Sequence, residues 1–275
     1  MDILIWNKMK EKITVVKVGG AVVEDEQQLA QLLEDFSAIS GRKVLVHGGG
    51  RRATKVATSL GIESRMVGGR RITDKDMLEV VTMVYGGLVN KNLVAKLQAN
   101  GVNALGLTGA DTDVIRSHKR PPVTITSSPT TSPQTVDFGY VGDVDMANGK
   151  MLYTLVEAGI TPVMAPLTHD GMGNILNTNA DTIAAETAKA LAPYYDVTLI
   201  YAFEKPGVLR NPDDDNSVIS TITHEDFLRY KADGTIAGGM IPKIENALAA
   251  IDSGVDRVVI TLATAIDGEH GTVIL

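Results

Sequence analysis

The chain has 275 residues, 44% hydrophobic and 21% charged, with a formal charge of −7 and no cysteine. That is enough for a substantial core under an ordinary surface, in one large domain or two lobes. The acidic balance argues against a broad nucleic-acid surface, and the lack of cysteine excludes disulfides, thiolate catalysis and Cys-ligated zinc.

The five histidines (His47, His118, His169, His224, His270) show no HExxH-type spacing, so no metal site is expected. No apolar run approaches membrane length. Residues 1–12 mix Asp2, Lys8, Lys10, Glu11 and Lys12 into a short apolar stretch, unlike a signal peptide. The expectation is a cytoplasmic protein with no membrane or nucleic-acid partner.

Residues 13–18 run Ile-Thr-Val-Val-Lys-Val and pass straight into Gly19-Gly20. The run suits a strand buried on both faces. Lys17 is costly there unless its ammonium emerges near something anionic. The glycines let backbone N–H groups approach a ligand. A helix from about Asp25 carries Leu29, Leu32, Leu33 and Phe36 on one face and stops at Gly41. A second strand, residues 43–46, leads into His47-Gly48-Gly49-Gly50, and residues 51–60 read as a helix closed by Gly61. The start is thus β-α-β-α, with glycines at the C-terminal end of each strand, the edge where open parallel sheets bind ligands.

Val67-Gly68-Gly69-Arg70-Arg71-Ile72-Thr73 precedes a long helix over residues 75–100, with Thr73 as its cap. Its apolar stripe is wide enough for a core and for a second subunit. A strand at residues 102–107 ends in Thr108-Gly109. Residues 116–135 are basic, then rich in Pro, Ser and Thr, as in a hairpin or mobile loop. A strand over 138–144, a helix over 151–158 and a strand over 162–165 follow. Asn177-Thr178-Asn179-Ala180-Asp181 then opens an Ala-rich helix to Ala190. A second lobe is expected from about residue 191: a strand at 197–202, a Pro-, Gly- and Asp-rich loop at 204–217, Gly238-Gly239-Met240-Ile241-Pro242-Lys243 opening a helix to 251, and strands at 257–261 and 271–274.

Neither a Walker GxxxxGK[ST] loop nor a GxGxxG after the first strand is present. Glycine clusters and cations stand instead at strand ends and helix starts: Lys17 with Gly19 and Gly20, the glycines 48–50, Arg71, and Lys243 behind Gly238-Gly239. Glycine N–H groups and helix N-termini bind anions. Two lysines, one per lobe, can clamp a transferring phosphoryl group. An aspartate between them, Asp181, can hold both, and Arg71 can fork onto a substrate carboxylate. Each has a plainer reading: Arg71 as a surface cation, Asp181 as a helix cap, Lys243 as a solvated lysine.

Taken together and in order, these pieces resemble the amino acid kinase family over almost the whole chain. The matching stretches are Lys17-Val18-Gly19-Gly20, Val46-His47-Gly48-Gly49-Gly50, Gly69-Arg70-Arg71-Ile72-Thr73, Asn90-Lys91, Phe138-Gly139-Tyr140-Val141-Gly142-Asp143, Asn177-Thr178-Asn179-Ala180-Asp181, Gly207-Val208-Leu209 and Gly239-Met240-Ile241-Pro242-Lys243. The resemblance implies a three-layer αβα sandwich with a mainly parallel central sheet. Residues 1–190 would form the acyl-glutamate and dimerisation lobe, residues 191–275 the ATP lobe. It implies ATP-dependent phosphorylation of the side-chain carboxylate of an N-acyl-L-glutamate, acetylated or, as the alternative, succinylated, with Mg²⁺ bound mainly through ATP. Such a carboxylate, with a pKa of about 4.3, is already ionised and needs no general base. Lys17, Lys243 and Asp181 would be catalytic. Gly49, Gly50, Arg71, Asn177 and Asn179 would hold the acylated amino acid. Gly19, Gly20, Glu204, Gly207, Leu209, Thr235, Ile236 and Ala237 would hold the nucleotide. A non-catalytic anion sensor on the same fold is the rival from another class; retention of both lysines speaks against it.

The chain departs from the family in two places. Phe203-Glu204-Lys205-Pro206 stands where relatives usually have Thr- or Ser-Asp-Val, and the tail after Thr261 is shorter than in many. With only residues 1–12 ahead of the first strand, the resemblance further implies a homodimer insensitive to arginine. The linking N-terminal helix of arginine-inhibited members has no room, and Trp6 with Ile3, Leu4 and Ile5 would lie back on their own lobe.

Overall fold

The apolar run at residues 13–18 lies at the centre of the molecule. In the computed structural model, which describes residues 10–125 and 134–275, it belongs to β1 (Lys12–Val18). There follow α1 (Gly20–Glu24), α2 (Glu26–Ala38), β2 (Arg42–His47), α3 (Gly50–Ser59), the two-residue strands β3 (Met66–Val67) and β4 (Arg70–Arg71), and α4 (Lys75–Val81). A π-helical stretch, Thr82–Val89, joins α4 to α5 (Asn90–Ala99). Next come β5 (Ala104–Leu107), β6 (Ile115–Lys119), β7 (Val123–Ile125), β8 (Gln134–Val136), β9 (Gly142–Ala147), α6 (Gly149–Glu157), β10 (Thr161–Met164), β11 (Leu167–His169), β12 (Ile175–Asn177) and α7 (Ala180–Leu191). The chain continues with β13 (Asp196–Phe203), β14 (Thr221–Ile222), α8 (His224–Ala232), α9 (Met240–Asp252), β15 (Arg257–Leu262) and β16 (Thr272–Ile274).

One sheet of eight strands, in the order β14-β16-β15-β13-β1-β2-β10-β5, runs through the molecule. Every neighbouring pair is parallel except β15 with β16. The side chains of β1 alternate between two cores. Ile13 and Val15 join a cluster with Leu191, Ile244 and Leu248 on one face. Val16 and Val18 join Leu33, Phe36 and Leu97 on the other. All four are at most 1% exposed, and each such burial is worth about 1.5–3 kcal/mol. Helices on both faces make the expected three-layer sandwich. The sheet crosses the boundary expected near residue 190 without a break, because β1 pairs with both β2 and β13.

Several local expectations are corrected. The first helix begins at Gly20, not Asp25; Asp25 separates two helices and caps the second, accepting the Gln27 and Gln28 N–H groups at 3.0 Å. Asp74, not Thr73, caps α4, through a 2.9 Å bond from the Met77 N–H. The long helix is continuous over residues 75–99, but its middle eight residues have widened to π geometry. Gly86 and Gly87 lie there, and glycine lowers the resistance of a helix to such widening. Residues 138–141 do not extend β9; they make single bridges, Gly139 to Thr73 and Val141 to Asn177. Gly139 has φ +73°, and a Cβ there would meet the Thr73 carbonyl oxygen at 2.2 Å, so only glycine fits. The 116–135 stretch contributes β6, β7 and β8. Its residues 126–133, and residues 1–9 with the expected fold-back of Trp6, lie outside the described residues.

A buried polar network ties β2 to the long helix. His47 is fully buried. With the tautomer assigned from its partners, Nδ1–H donates to the Gly48 carbonyl at 2.8 Å and Nε2 accepts from Asn90 Nδ2 at 3.1 Å. Asn90 Nδ2 also donates to the Val163 carbonyl, and Asn90 Oδ1 accepts from Lys91 Nζ. Burial pushes the His47 pKa down to about 4; the Gly48 bond opposes this and the Lys91 charge adds to it.

Between pH 6.5 and 4, therefore, the unfolded chain binds a proton at His47 that the folded chain refuses. Stability falls as pH falls through that window, by on the order of 3 kcal/mol from this group. Urea unfolding at pH 7 and pH 4.5 is expected to show a larger loss for the wild type than for His47→Asn. Equal losses would remove His47 as the source.

Candidate active site

The C-terminal ends of β1, β2 and β13 point the same way, and the loops that leave them form the site. Lys17, the penultimate residue of β1, is 7% exposed and lies on the face covered by α7. Asn179 caps α7: its side chain accepts the Asp181 N–H at 2.7 Å and the Thr182 N–H at 3.3 Å. Asp181 is thereby freed from capping, and its Oδ1 stands 2.7 Å from Lys17 Nζ. The opening of α9 brings Lys243 to the same place, its Nζ 3.8 Å from the centre of the Phe203 ring; Lys17 Nζ lies 4.8 Å from that centre. The lysine at a glycine-rich edge and the lysine some 220 residues later in sequence thus meet over one ring, with one carboxylate between them.

Lys243 is half-buried and its pKa is lowered, first by burial; the Lys17 charge lowers it further, while Asp181 and then Glu204 oppose. A cleft of about 470 Å³ opens beside these groups. Lys17, Gly19, Gly20, Gly50, Arg51, Asp181, Phe203, Glu204, Gly207 and Lys243 are among its walls. Arg51 and Glu204 form a 3.2 Å ion pair there. Two ammonium groups and glycine backbone suit a polyphosphate.

A second cavity, about 210 Å³, lies on the other side of the glycines 48–50. Gly50 lines both spaces. It opens α3, whose first N–H groups have no partner within the helix. The glycine loops are tightly apposed: a Cβ on Gly48 would come 3.2 Å from the Gly20 nitrogen, and one on Gly49 2.9 Å from the Tyr85 ring. Arg71 enters the cavity from β4, 8% exposed. It donates to the Gly50 carbonyl at 2.9 Å, to Thr54 Oγ1 at 3.0 Å and to Ser64 Oγ. Among the described residues no carboxylate pairs with it. A buried guanidinium without a counter-charge is expensive, so the cavity favours an anion. Asn177 lines it too, donating to Thr73 Oγ1 at 2.9 Å.

The plainer readings of Arg71 and Asp181 therefore give way: Arg71 is buried, and Asn179 is the cap. Asn179 lines the cavity, but its side-chain oxygen is occupied by the helix. Gly49, Gly50, Arg71, Asn177 and Asn179 come together in the small cavity, and Gly19, Gly20, Glu204 and Gly207 in the larger one. Leu209, Thr235, Ile236 and Ala237 do not line it. Leu209 bridges to Val218. Ile236 is buried, with its N–H on the Tyr230 carbonyl at 2.9 Å. The Thr235 N–H goes to Asp233 Oδ1, and Ala237 faces solvent. Sequence reasoning passed over Tyr85 and Arg51, which line these spaces from helices, and gave Phe203 no role. No cluster of three His, Asp or Glu groups able to hold a metal forms among the described residues.

The amino acid kinase family pattern matches residues 12–262. The chain belongs to the amino acid kinase family. It is 64% identical over 265 residues to the acetylglutamate kinase of Bacteroides fragilis, covering 96% of this chain and 97% of that protein. It is 64% identical over 264 residues to the acetylglutamate kinase of Bacteroides thetaiotaomicron, covering 96% and 98%. A crystal structure from Streptococcus mutans superposes with a TM-score of 0.71 at 31% identity, over 95% of this chain and 98% of that one. As an amino acid kinase family member, the chain has the α/β sandwich of its relatives and the ATP-dependent kinase activity of its class.

The charges around Lys243 give a direct test. In a ¹³C-lysine titration its ammonium is expected to titrate below the usual 10.5. Asp181→Asn is expected to lower it further, because the strongest opposing charge is gone. An unshifted Lys243 in the wild type would contradict the placement of the two lysines.

Proposed function

We propose that the chain phosphorylates the side-chain carboxylate of N-acetyl-L-glutamate with ATP, the acetylglutamate kinase step of arginine biosynthesis. The observation that carries this is the sharing of Gly50 between the Arg71 cavity and the two-lysine cleft. An acylated amino acid held at Arg71 and a polyphosphate held at Lys17 and Lys243 meet at that glycine. The carboxylate oxygen attacks the γ-phosphorus in line, the new C–O–P linkage forms, and the bond to the β-phosphate oxygen breaks as ADP leaves. Charge neutralisation and alignment are the needs of such a transfer. Lys17 and Lys243 supply the charge, Asp181 fixes Lys17, and the glycine N–H groups take the oxygens. Mg²⁺ would be held through the ATP phosphates and would offset their charge. Residues 1–190 carry the acyl-glutamate half and residues 191–275 most of the ATP half. Metabolic placement in the cytoplasm follows from the same reading.

A second acyl group has a specific observation behind it. Arg70 and Arg120 line the Arg71 cavity. Arg120 is tied to Asp143 by bonds of 3.0 and 3.1 Å, whereas Arg70 is exposed at the rim. These cations suit an acyl tail that ends in a carboxylate, as in N-succinylglutamate. A homodimer is part of the proposal: Met83 and Leu88 on the long helix are 54% and 41% exposed, an apolar face for a second copy.

Coupled ADP-release assays with N-acetyl- and N-succinyl-L-glutamate test the reaction and rank the acyl groups; activity with neither would overturn the reading. Lys17→Ala or Lys243→Ala is expected to lower kcat by at least about 100-fold in a folded protein, the scale for one preorganised transition-state group. Arg71→Ala is expected to raise KM for the acyl-glutamate far more than KM for ATP, because a forked carboxylate contact is lost. Equal effects on the two substrates would take Arg71 out of the acyl-glutamate site.

A further inference from the structure

We infer that Tyr201 and Phe203 form an aromatic buttress that seats Lys17, Lys243 and Asp181 for phosphoryl transfer, with Phe203 as a positioning residue. The inference rests on the function proposed above and adds a role for a residue in which this chain departs from the resembled family. Tyr201 and Phe203 are two apart on β13, so both project from the same face of the sheet. Their rings stack with centroids 6.1 Å apart and planes 14° from parallel. Tyr201 is 4% exposed, and its hydroxyl donates to the backbone carbonyl of Asp181 at 3.3 Å. Burial, with the charges of Asp181 and Glu186, pushes its pKa up, so the hydroxyl stays a donor.

Phe203 stands at the end of the strand, where the cleft opens. Among the described residues lining that cleft it is the one aromatic. Both ammonium groups lie within 5 Å of its ring centre. The face of a phenyl ring carries negative potential and attracts a cation, most strongly where water is excluded. That attraction has a task here. Lys17 and Lys243 repel each other, and the charged groups acting on Lys243 are Asp181, Lys17 and Glu204. Asp181 is engaged with Lys17 at 2.7 Å, and Glu204 is engaged with Arg51. The ring offers Lys243 a partner that is neutral, fixed by its stack on Tyr201 and unable to compete for protons. Strand, ring and helix therefore hold both lysines beside Asp181 before any phosphate arrives.

The test compares Phe203→Leu, which keeps an apolar wall and removes the ring, with Phe203→Tyr, which keeps the ring. Phe203→Leu is expected to lower kcat about tenfold, between the values for an exposed and a fully desolvated cation–π contact, with KM for the acyl-glutamate within about twofold. The ¹³C-lysine titration is expected to show the Lys243 ammonium titrating lower in Phe203→Leu than in the wild type. Phe203→Tyr is expected to restore both. An unchanged kcat and an unmoved Lys243 titration in Phe203→Leu would overturn the inference; so would a Tyr variant as impaired as the Leu variant. The titration needs no turnover. Should the wild type fail to phosphorylate acyl-glutamates, the proposed function fails, while the seating of Lys243 is still decided by its titration.

Discussion

The ion pair between Lys17 and Asp181 is the contact on which the rest of the architecture depends. A lysine at the end of a strand buried on both faces is tolerated only when its charge is met at once. Asp181 meets it because Asn179 takes over the capping of α7, and α7 lies against β1 because the sheet carries β1 at its centre. Breaking one partner would strand the other charge in a largely water-excluded place. The same requirement fixes where Lys243 must arrive, since a second ammonium beside Lys17 is tolerable only with the carboxylate and the Phe203 ring in reach.

The two cavities divide the chemical work by charge and by shape. Arg71 is buried, forked and without an acid partner among the described residues, so its cavity suits a carboxylate. The larger cleft presents point-like ammonium charges, which suit the rotating oxygens of a phosphate chain. Gly50 lines both spaces, so in the proposed reaction the acceptor and the donor would meet across it. Few other groups are needed, because a carboxylate at neutral pH is already the nucleophile.

Much of this was legible in the sequence, for a local reason. A strand that ends in glycines, or a helix that opens with Asn-x-Asp, writes its chemistry within six residues, so Lys17, the glycines 48–50, Arg71 and Asp181 could all be read off. Contacts made by side chains from separate elements could not. Tyr85 reaches Gly49 from a helix 36 residues on, and nothing in its own neighbourhood marks it. Phe203 was noticed only as a departure; its stack on Tyr201 and its place under two lysines exist only after β1, β13 and α9 are assembled. α8 is a different miss, because its signal was local: Thr223 and Asp226 form a capping box, and Thr-x-x-Asp before an apolar run was available to be read. Leu209 and residues 235–237 rest on the family pattern alone; in the structure they are engaged elsewhere, Leu209 with Val218 and Ile236 with the Tyr230 carbonyl.

The widened stretch at Thr82–Val89 has a consequence for how this helix tolerates change. Successive residues of an α-helix turn by about 100°, and π geometry accommodates one residue more than an α-helical path of similar length. The widened turn absorbs that surplus, so the residues after it keep the angular phase they would have after an α-helical path one residue shorter. Ahead of it, Met77 and Val80 are anchored in the core; after it, Asn90 must face His47. Loss of a single residue here would let the stretch return to α geometry with Asn90 still facing the histidine beneath the glycine loop. The segment is therefore the place along this helix where a one-residue change in length is absorbed with the faces on either side left in register.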